Sequence, residues 1–313
     1  MADHEAEIEE LLAAPPSMTR RPTVTAMEEQ LFRLHPVLDH GFVRVVDYMG
    51  DDAAVVQAAR VSYGRGTRTA LDDRGLIRYL MRHRHTTPFE MCELKLHVKL
   101  PIFVARQWIR HRTANVNEYS ARYSILDREF YIPAPEQLAV QSSTNRQGRG
   151  NALSTEQAER VLAMLRRDAS QAYDTYAELL NDDGTGAPAD PEAPQLAREL
   201  ARMNLSLNYY TQWYWKVDLH NLLHFLSLRA DPHAQYEIRV YADLIASMVK
   251  AWAPHVFEAF EDYRLGSVTF SRREVEILRE LLHGGDPDML LPASGLSVRE
   301  RLAFREVLGL TRG

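Results

Sequence analysis

The sequence predicts an α+β protein, an antiparallel sheet packed with helices and with long helices in its second half. Three observations carry that expectation. Residues 93–100 alternate with period two, Leu94, Leu96, Val98 and Leu100 against Glu93, Lys95, His97 and Lys99. That is the pattern of a half-buried strand of the antiparallel kind. Phe42–Tyr48 has strand composition and stops at Gly50. In the second half, Ser154 and Gln157 form a capping box ahead of a helical stretch reaching about Leu180. Helical spacing returns over Gln195–Leu228 and again up to about Ala253.

In chain order, residues 1–36 read as a flexible N-terminal extension. An acidic stretch, Glu5 to Glu10, precedes Ala13-Ala14-Pro15-Pro16, which suits a mobile arm or one short helix. The main domain is expected over residues 37–270, with compact chain from near Gly41. Asp51 or Asp52 caps a helix through Ala53–Val61, and Leu76, Ile77, Leu80 and Met81 space the next one. Pro101 opens a helix expected through Ile102–Arg112. Asp182–Pro194 reads as a loop. A break in the following helix is expected near Tyr209, Tyr210, Trp213, Tyr214 and Trp215, a group whose place is the core or a subunit interface. Asp231 and Pro232 are expected to start the next helix. Residues 271–313 form a charged, helical C-terminal extension.

Composition excludes several classes of function. The 313 residues carry 37 basic and 43 acidic side chains, a net charge of −6, with 45% hydrophobic and 26% charged residues. That is the profile of a soluble globular protein, expected in the cytoplasm, with no apolar run near the ~18 residues of a membrane span. The single cysteine, Cys92, forms no internal disulfide, CxxC pair or zinc finger.

The most informative stretch runs from Gln107 to Arg122. Arg106, Arg110, Arg112, Arg122 and Arg128 oppose only Glu118 and Asp127 there. Guanidinium groups bind phosphate as charged forks, and Asn115, Asn117 and Ser120 can complete a polar pocket. The plain alternative is a solvated basic helix end beside the helix's negative pole. A nucleic-acid surface is a weaker alternative, because the chain has no basic excess and no helix-turn-helix or zinc finger.

Arg110-His111-Arg112, followed after a spacer by Ser120 and then Arg122-Tyr123, resembles the Arg-His-Arg-x7-Ser motif of the flavin-dependent thymidylate synthases. The likeness extends over roughly residues 40–265. It runs through Gly41-Phe42-Val43, Ala58–Ser62, His85–Glu90, Pro101–Trp108, Phe130–Pro133 and Leu228–Gln235. The resemblance implies a homotetramer, with active sites between subunits, that converts dUMP to dTMP. Methylenetetrahydrofolate would give the carbon, bound FAD the hydride, and NADPH would reduce the flavin. It places Thr87, Arg110, His111, Arg112 and Glu118 at FAD, with Asp218, His220 and His224 in a further FAD-contacting stretch. Family members often carry Asn, Arg and Asn at those last three positions. It places Gln107, Arg110, Glu118, Tyr119, Ser120, Ala121 and Arg122 at dUMP, with Arg202 reaching the nucleotide from another subunit. Arg229 matches the arginine credited with activating the pyrimidine.

The implied chemistry suits these residue types. Two anionic ligands in one pocket need several arginines. Uracil C5 is a poor nucleophile until charge is drawn toward N3 and O4, and a fixed arginine at that edge does so while staying charged. No Gly-x-Gly-x-x-Gly follows a strand, and Gly64-Arg65-Gly66 is too short to count, so a Rossmann finger is not expected to hold the flavin. His220 and His224 have the spacing of metal ligands on a helix, but the residues between them lack the glutamate of a zinc protease and no third ligand is evident. No metal is expected. His83 and His85 are expected at a helix end, His85 near the flavin or folate by resemblance. Thymidylate synthases of the other kind attack the pyrimidine with a cysteine thiolate. Cys92 shares parity with Leu94 and Leu96, so it is expected in the core and outside the reaction.

Overall fold

The computed structural model describes residues 2–15, 17–61, 73–143 and 148–310. Ser62 and Gly64–Gly66, named above, lie outside them. The chain divides into two compact units, Met1–Ala259 and Phe260–Gly313. The division lies ahead of the 270/271 boundary read from the sequence.

The first unit is α+β. Its strands are β1 (His35–Val37), β2 (Gly41–Met49), β3 (Glu93–Pro101), β4 (Asn115–Glu118), β5 (Ala139–Gln141), β6 (Arg149–Ala152) and β7 (Tyr210–Asp218). Five of them form an antiparallel sheet in the order β1-β2-β3-β7-β4, and β5 with β6 makes a separate hairpin. Its helices are α1 (Ala2–Ala13), α2 (Thr25–Glu28), α3 (Asp52–Arg60), α4 (Asp73–Arg82), α5 (Thr87–Glu90), α6 (Ile102–Trp108), α7 (Thr155–Leu180), α8 (Arg198–Ala201), α9 (Leu219–Arg229), α10 (Tyr236–Trp252) and α11 (Pro254–Phe260), the last ending where the second unit begins.

Several of these follow from local signals. Asp51 caps α3 by accepting from Ala54 N at 2.8 Å, and Ser154 with Gln157 closes the expected capping box on α7. Leu94, Leu96, Val98 and Leu100 are fully buried on one face of β3, opposite Val217, Trp215, Trp213 and Thr211 of β7. On that side α6 packs against β3 and β7, α9 against β7, and α10 against α6 and α9.

Four expectations need correction. Gln195–Leu228 is not one helix: it holds α8, a short turn, the central strand β7 and then α9. Trp213, Trp215 and Val217 point into the core while Gln212, Tyr214 and Lys216 alternate with them. Aromatic residues at period two favour a strand. The helix opened by Pro101 stops at Trp108, not Arg112, because Asn115–Glu118 is drawn out to pair with β7. The helix expected from Asp231 begins at Tyr236. Asp231 instead turns the chain, its carboxylate accepting from His233 N at 2.7 Å. Finally, β3 is not half-buried along its length. His97 and Lys99 are as enclosed as the leucines, because Glu129 pairs with Lys99 and Arg44 covers His97.

The N-terminal arm contains the helix α1, and its Glu7 pairs with Arg44 at 3.3 Å. Arg44 is 1% exposed; its Nε donates to His97 Nδ1 at 3.0 Å, and His97 Nε2 meets Gln212 Oε1 at 2.9 Å. A polar rung thus crosses β2, β3 and β7 on the face opposite the apolar core. A buried cation costs several kcal/mol without a counter-charge, and among the described residues Glu7 is the carboxylate that reaches it.

Cys92 is fully buried at the start of β3, its thiol directed at Asp51 O. Gly50 has φ +83°, and a Cβ there would lie 2.6 Å from the Cys92 sulfur. Only glycine suits that position.

The second unit is helical, as expected of a C-terminal extension. Residues Arg272–Leu282, Pro287–Ala293 and Val298–Val307 form helices around Ile277, Leu291, Leu296 and Phe304. Among the described residues no helix is long and apolar enough to cross a membrane.

Candidate active site

Two cavities collect most of the residues singled out above. The smaller, about 250 Å³, is lined by Arg110, His111, Arg112, Thr113, Asn221, His224, Phe225, Leu228 and Arg229. Its parts come from the turn that ends α6 and from the outer face of α9. Main-chain bonds from Ile109 N to Ala105 O and from His111 N to Trp108 O, both 2.9 Å, close the helix and throw Arg110–Arg112 clear of it. Apolar Trp108 and Phe225 anchor the two helices beneath, with ring centroids 4.7 Å apart.

His111 sits over this aromatic floor, 5.6 Å from Phe225, 6.2 Å from Trp215 and 5.7 Å from His224. Burial, then the positive charges of His224 and Arg229, hold its imidazole below the ordinary 6.5. Arg229 is the last residue of α9 and reaches back to α6, donating to Gln107 O at 3.4 Å. Burial and the neighbouring Arg110 push its guanidinium below the ordinary value, and it remains cationic. Gln107 has its own Oε1 buried without a hydrogen-bond partner among the described residues.

The larger cavity, about 450 Å³, is lined by Glu118, Tyr119, Ser120, Ala121, Arg122 and Arg202 together with Ile102, Leu126, Leu205, Tyr209, Tyr210 and Thr211. Here the segment after β4 leaves the sheet edge. Tyr119 N still bonds Gln212 O at 2.8 Å, and Tyr123 N then closes a turn onto Ser120 O at 3.0 Å. Arg202 arrives from the turn after α8. Arg122 and Arg202 form no ion pair among the described residues, which leaves both guanidinium groups open to an anion. Glu118 accepts from the Thr211 hydroxyl at 2.8 Å.

The remaining sequence-predicted residues lie elsewhere. Thr87 is exposed at the start of α5, which packs against α9. Asp218 caps α9, taking bonds from Asn221 N at 2.9 Å and Asn221 Nδ2 at 2.6 Å. His220 follows it on α9, half-buried beside Asn221 and one turn before His224, without itself lining either cavity. His83 and His85 both lie beside the Tyr79 ring, at 4.4 and 5.9 Å. No group of three metal-ligating side chains occurs among the described residues. Sequence reasoning missed Thr211, Tyr209 and Tyr210, which line the larger cavity from the segment read as helix. The alternation of Trp213, Trp215 and Val217 was the signal that would have found them.

Comparison with known proteins gives the family. The family model described as "Thymidylate synthase complementing protein" matches residues 44–255. A flavin-dependent thymidylate synthase of Gluconobacter oxydans is 64% identical over 307 residues, covering 98% of this chain and 97% of its own. One from Ruegeria pomeroyi is 64% identical over 291 residues, 93% of each chain. Among solved structures, a UMP/dUMP methylase, PolB from Streptomyces cacaoi, bound with 5-Br UMP, superposes with a TM-score of 0.63. It is 34% identical and covers 74% of this chain and 98% of that one. With a family match across most of the folded first unit and relatives this similar over nearly the whole length, the chain belongs to the family of flavin-dependent thymidylate synthases.

Proposed function

We propose that this protein makes dTMP from dUMP by reductive methylation, with methylenetetrahydrofolate as carbon donor, FAD as bound cofactor and NADPH as reductant. The observation that carries the reading is the make-up of the larger cavity. Arg122 and Arg202, without an ion pair among the described residues, share it with a single carboxylate, Glu118, and with Ser120. A nucleoside monophosphate has the matching chemistry, a dianionic phosphate at one end and hydrogen-bond donors at the other. PolB, the structural neighbour, is a UMP/dUMP methylase.

The smaller cavity suits a flavin dinucleotide. Arg110, His111, Arg112, Thr113, Asn221 and His224 can all donate, and no carboxylate lines it, as a pyrophosphate requires. Thr87, Asp218 and His220 would complete the FAD contacts from α5 and the start of α9, with Glu118 serving FAD as well as dUMP. When bound, FAD carries hydride from NADPH to the pyrimidine. The chain's own task is to hold and polarise the nucleotide. Arg122, Arg202 and Ser120 take the phosphate, while Tyr119 and Ala121 wall the pocket. Gln107, Arg110 and Arg229 meet the pyrimidine. Arg229, fixed cationic against Gln107 O, draws charge toward N3 and O4 and raises electron density at C5.

The dUMP set is divided between cavities that share no lining residue. This supports an assembly in which one chain's larger cavity faces another's smaller one, read here as a homotetramer placed in the cytoplasm. The resemblance brings Arg202 from another subunit. Here Arg202 shares its cavity with Ser120 and Arg122, so the division between subunits runs between that set and Arg110 with Arg229. Residues 37–270 form the catalytic region, with 1–36 and 271–313 as extensions to it. The 74% of this chain matched by the PolB structure supports such additions.

The test is dTMP formation by the purified protein from dUMP, methylenetetrahydrofolate and NADPH, with and without added FAD. Product that depends on FAD and NADPH is expected. Absence of product under both conditions overturns the reading.

A further inference from the structure

The Thr211 hydroxyl donates to Glu118 Oε1 at 2.8 Å, and among the described residues neither side chain makes another hydrogen bond. The two sit on unequal supports. Thr211 is 8% exposed and paired with Leu100, near one end of the interior strand β7. Glu118 belongs to β4, a four-residue edge strand exposed throughout. The register explains how they meet. Glu118 lies opposite Trp213, so Thr211, two residues along β7, is its diagonal neighbour on the same face. A glutamate spans such a diagonal.

Glu118 shares its cavity with Arg122 and Arg202 and is the one acidic residue lining it. A free carboxylate beside two guanidinium groups would turn toward them, since bidentate carboxylate pairing is their strongest option. Neither arginine is so paired among the described residues. The bond to Thr211 is the one interaction there that holds the carboxylate elsewhere.

We propose that Thr211 is a positioning residue that restrains Glu118, keeping Arg122 and Arg202 available to the substrate phosphate and leaving Glu118 Oε2 to accept from the nucleotide. The inference rests on the reading of this cavity as the dUMP site. Released from Thr211, Glu118 competes with phosphate for the arginines. The loss therefore falls on nucleotide binding.

The experiment uses the FAD-loaded full chain, with dUMP binding measured by equilibrium dialysis beside KM and kcat. Thr211→Val keeps the side-chain shape and removes the hydroxyl. It is expected to raise Kd and KM for dUMP about 10-fold, the scale of one hydrogen bond to a charged group, with kcat changed far less. Thr211→Ser should restore binding to within about 2-fold. In a Glu118→Gln background Thr211→Val should add little, because the groups act as one unit. Unchanged Kd and KM in a folded Thr211→Val protein, or full additivity in the double variant, overturns the proposal. Wild-type protein that binds no dUMP overturns the underlying functional reading instead.

Discussion

Arg229, at the end of α9, donates to the main-chain oxygen of Gln107, near the end of α6, across 3.4 Å. The bond ties two helices that a long stretch of chain separates, and it fixes a guanidinium at the rim of the smaller cavity. Arg229→Ala should leave the melting temperature nearly unchanged, because the side chain is only half-buried. Turnover should fall about 10²-fold or more, the usual cost of removing a preorganised charge. Arg229→Lys should recover little, since an ammonium lacks the planar fork. Turnover equal to wild type in the alanine variant would remove Arg229 from this role.

His111 gives a pH signature. The fold favours its neutral imidazole through burial and the charges of His224 and Arg229, with Asp218 opposing them. The unfolded chain therefore binds this proton more readily. Stability should fall as pH drops through the ordinary 6.5, and His111 should add no pH dependence above it. Proton NMR of the imidazole should give a midpoint below 6.5 in the free protein. Inorganic pyrophosphate, used as a probe of the smaller cavity, should move that midpoint upward. A free-protein midpoint at or above the ordinary value contradicts the assignment.

Cys92 should behave as a sealed core residue. Desolvation, then the charge of Asp51, pushes its thiol up to about 12. Cys92→Ser should keep turnover, at a stability cost of about 1–2 kcal/mol for burying a hydroxyl. A thiol-specific chromogenic reagent at about pH 8 should stay colourless on folded protein and develop only as it unfolds. Loss of turnover in a well-folded serine variant would place Cys92 in the reaction.

The Glu7–Arg44 pair is one contact through which the arm should contribute to stability. Glu7→Gln leaves Arg44 buried without its counter-charge. A loss of about 1–2 kcal/mol is expected, less than for a fully enclosed pair because Glu7 is half-exposed. Thermal melts in low and high salt should converge for the variant more than for wild type. A variant that melts as wild type does would mean that α1 does not depend on this pair.

What the sequence made legible was what lies within one helical turn or one strand. The Ser154–Gln157 capping box, the Asp51 cap and the apolar face of Leu94, Leu96 and Val98 each involve neighbours a few residues apart, and each formed as read, although the opposite face of β3 is buried as well at His97 and Lys99. The Arg110–Arg122 segment stood out for a similar reason, its charges being concentrated in consecutive chain. The strand β4 did not stand out, because Asn115–Glu118 is polar and becomes a strand only by pairing with Lys216–Trp213, far along the chain. Thr211 was hidden for the same reason, since its relation to Glu118 exists only once register is set. Aromatic Tyr210–Trp215 was misread because the helical spacing of α9, directly after it, was extended backward over a strand.

The layer of rings under the smaller cavity gives the protein its own optical probe. Of its 4 tryptophans, Trp108 lies in ring contact with both Trp213 and Trp215, Trp215 also meets His111, and all three indole N–H groups are buried without hydrogen-bond partners among the described residues. Trp252 is the outlier, bonded to Gly50 O at 2.7 Å. Most of the ultraviolet emission therefore originates beside the residues assigned to the flavin. An isoalloxazine absorbs where indoles emit, so cofactor occupancy should be readable as quenching, with no label attached and no turnover needed.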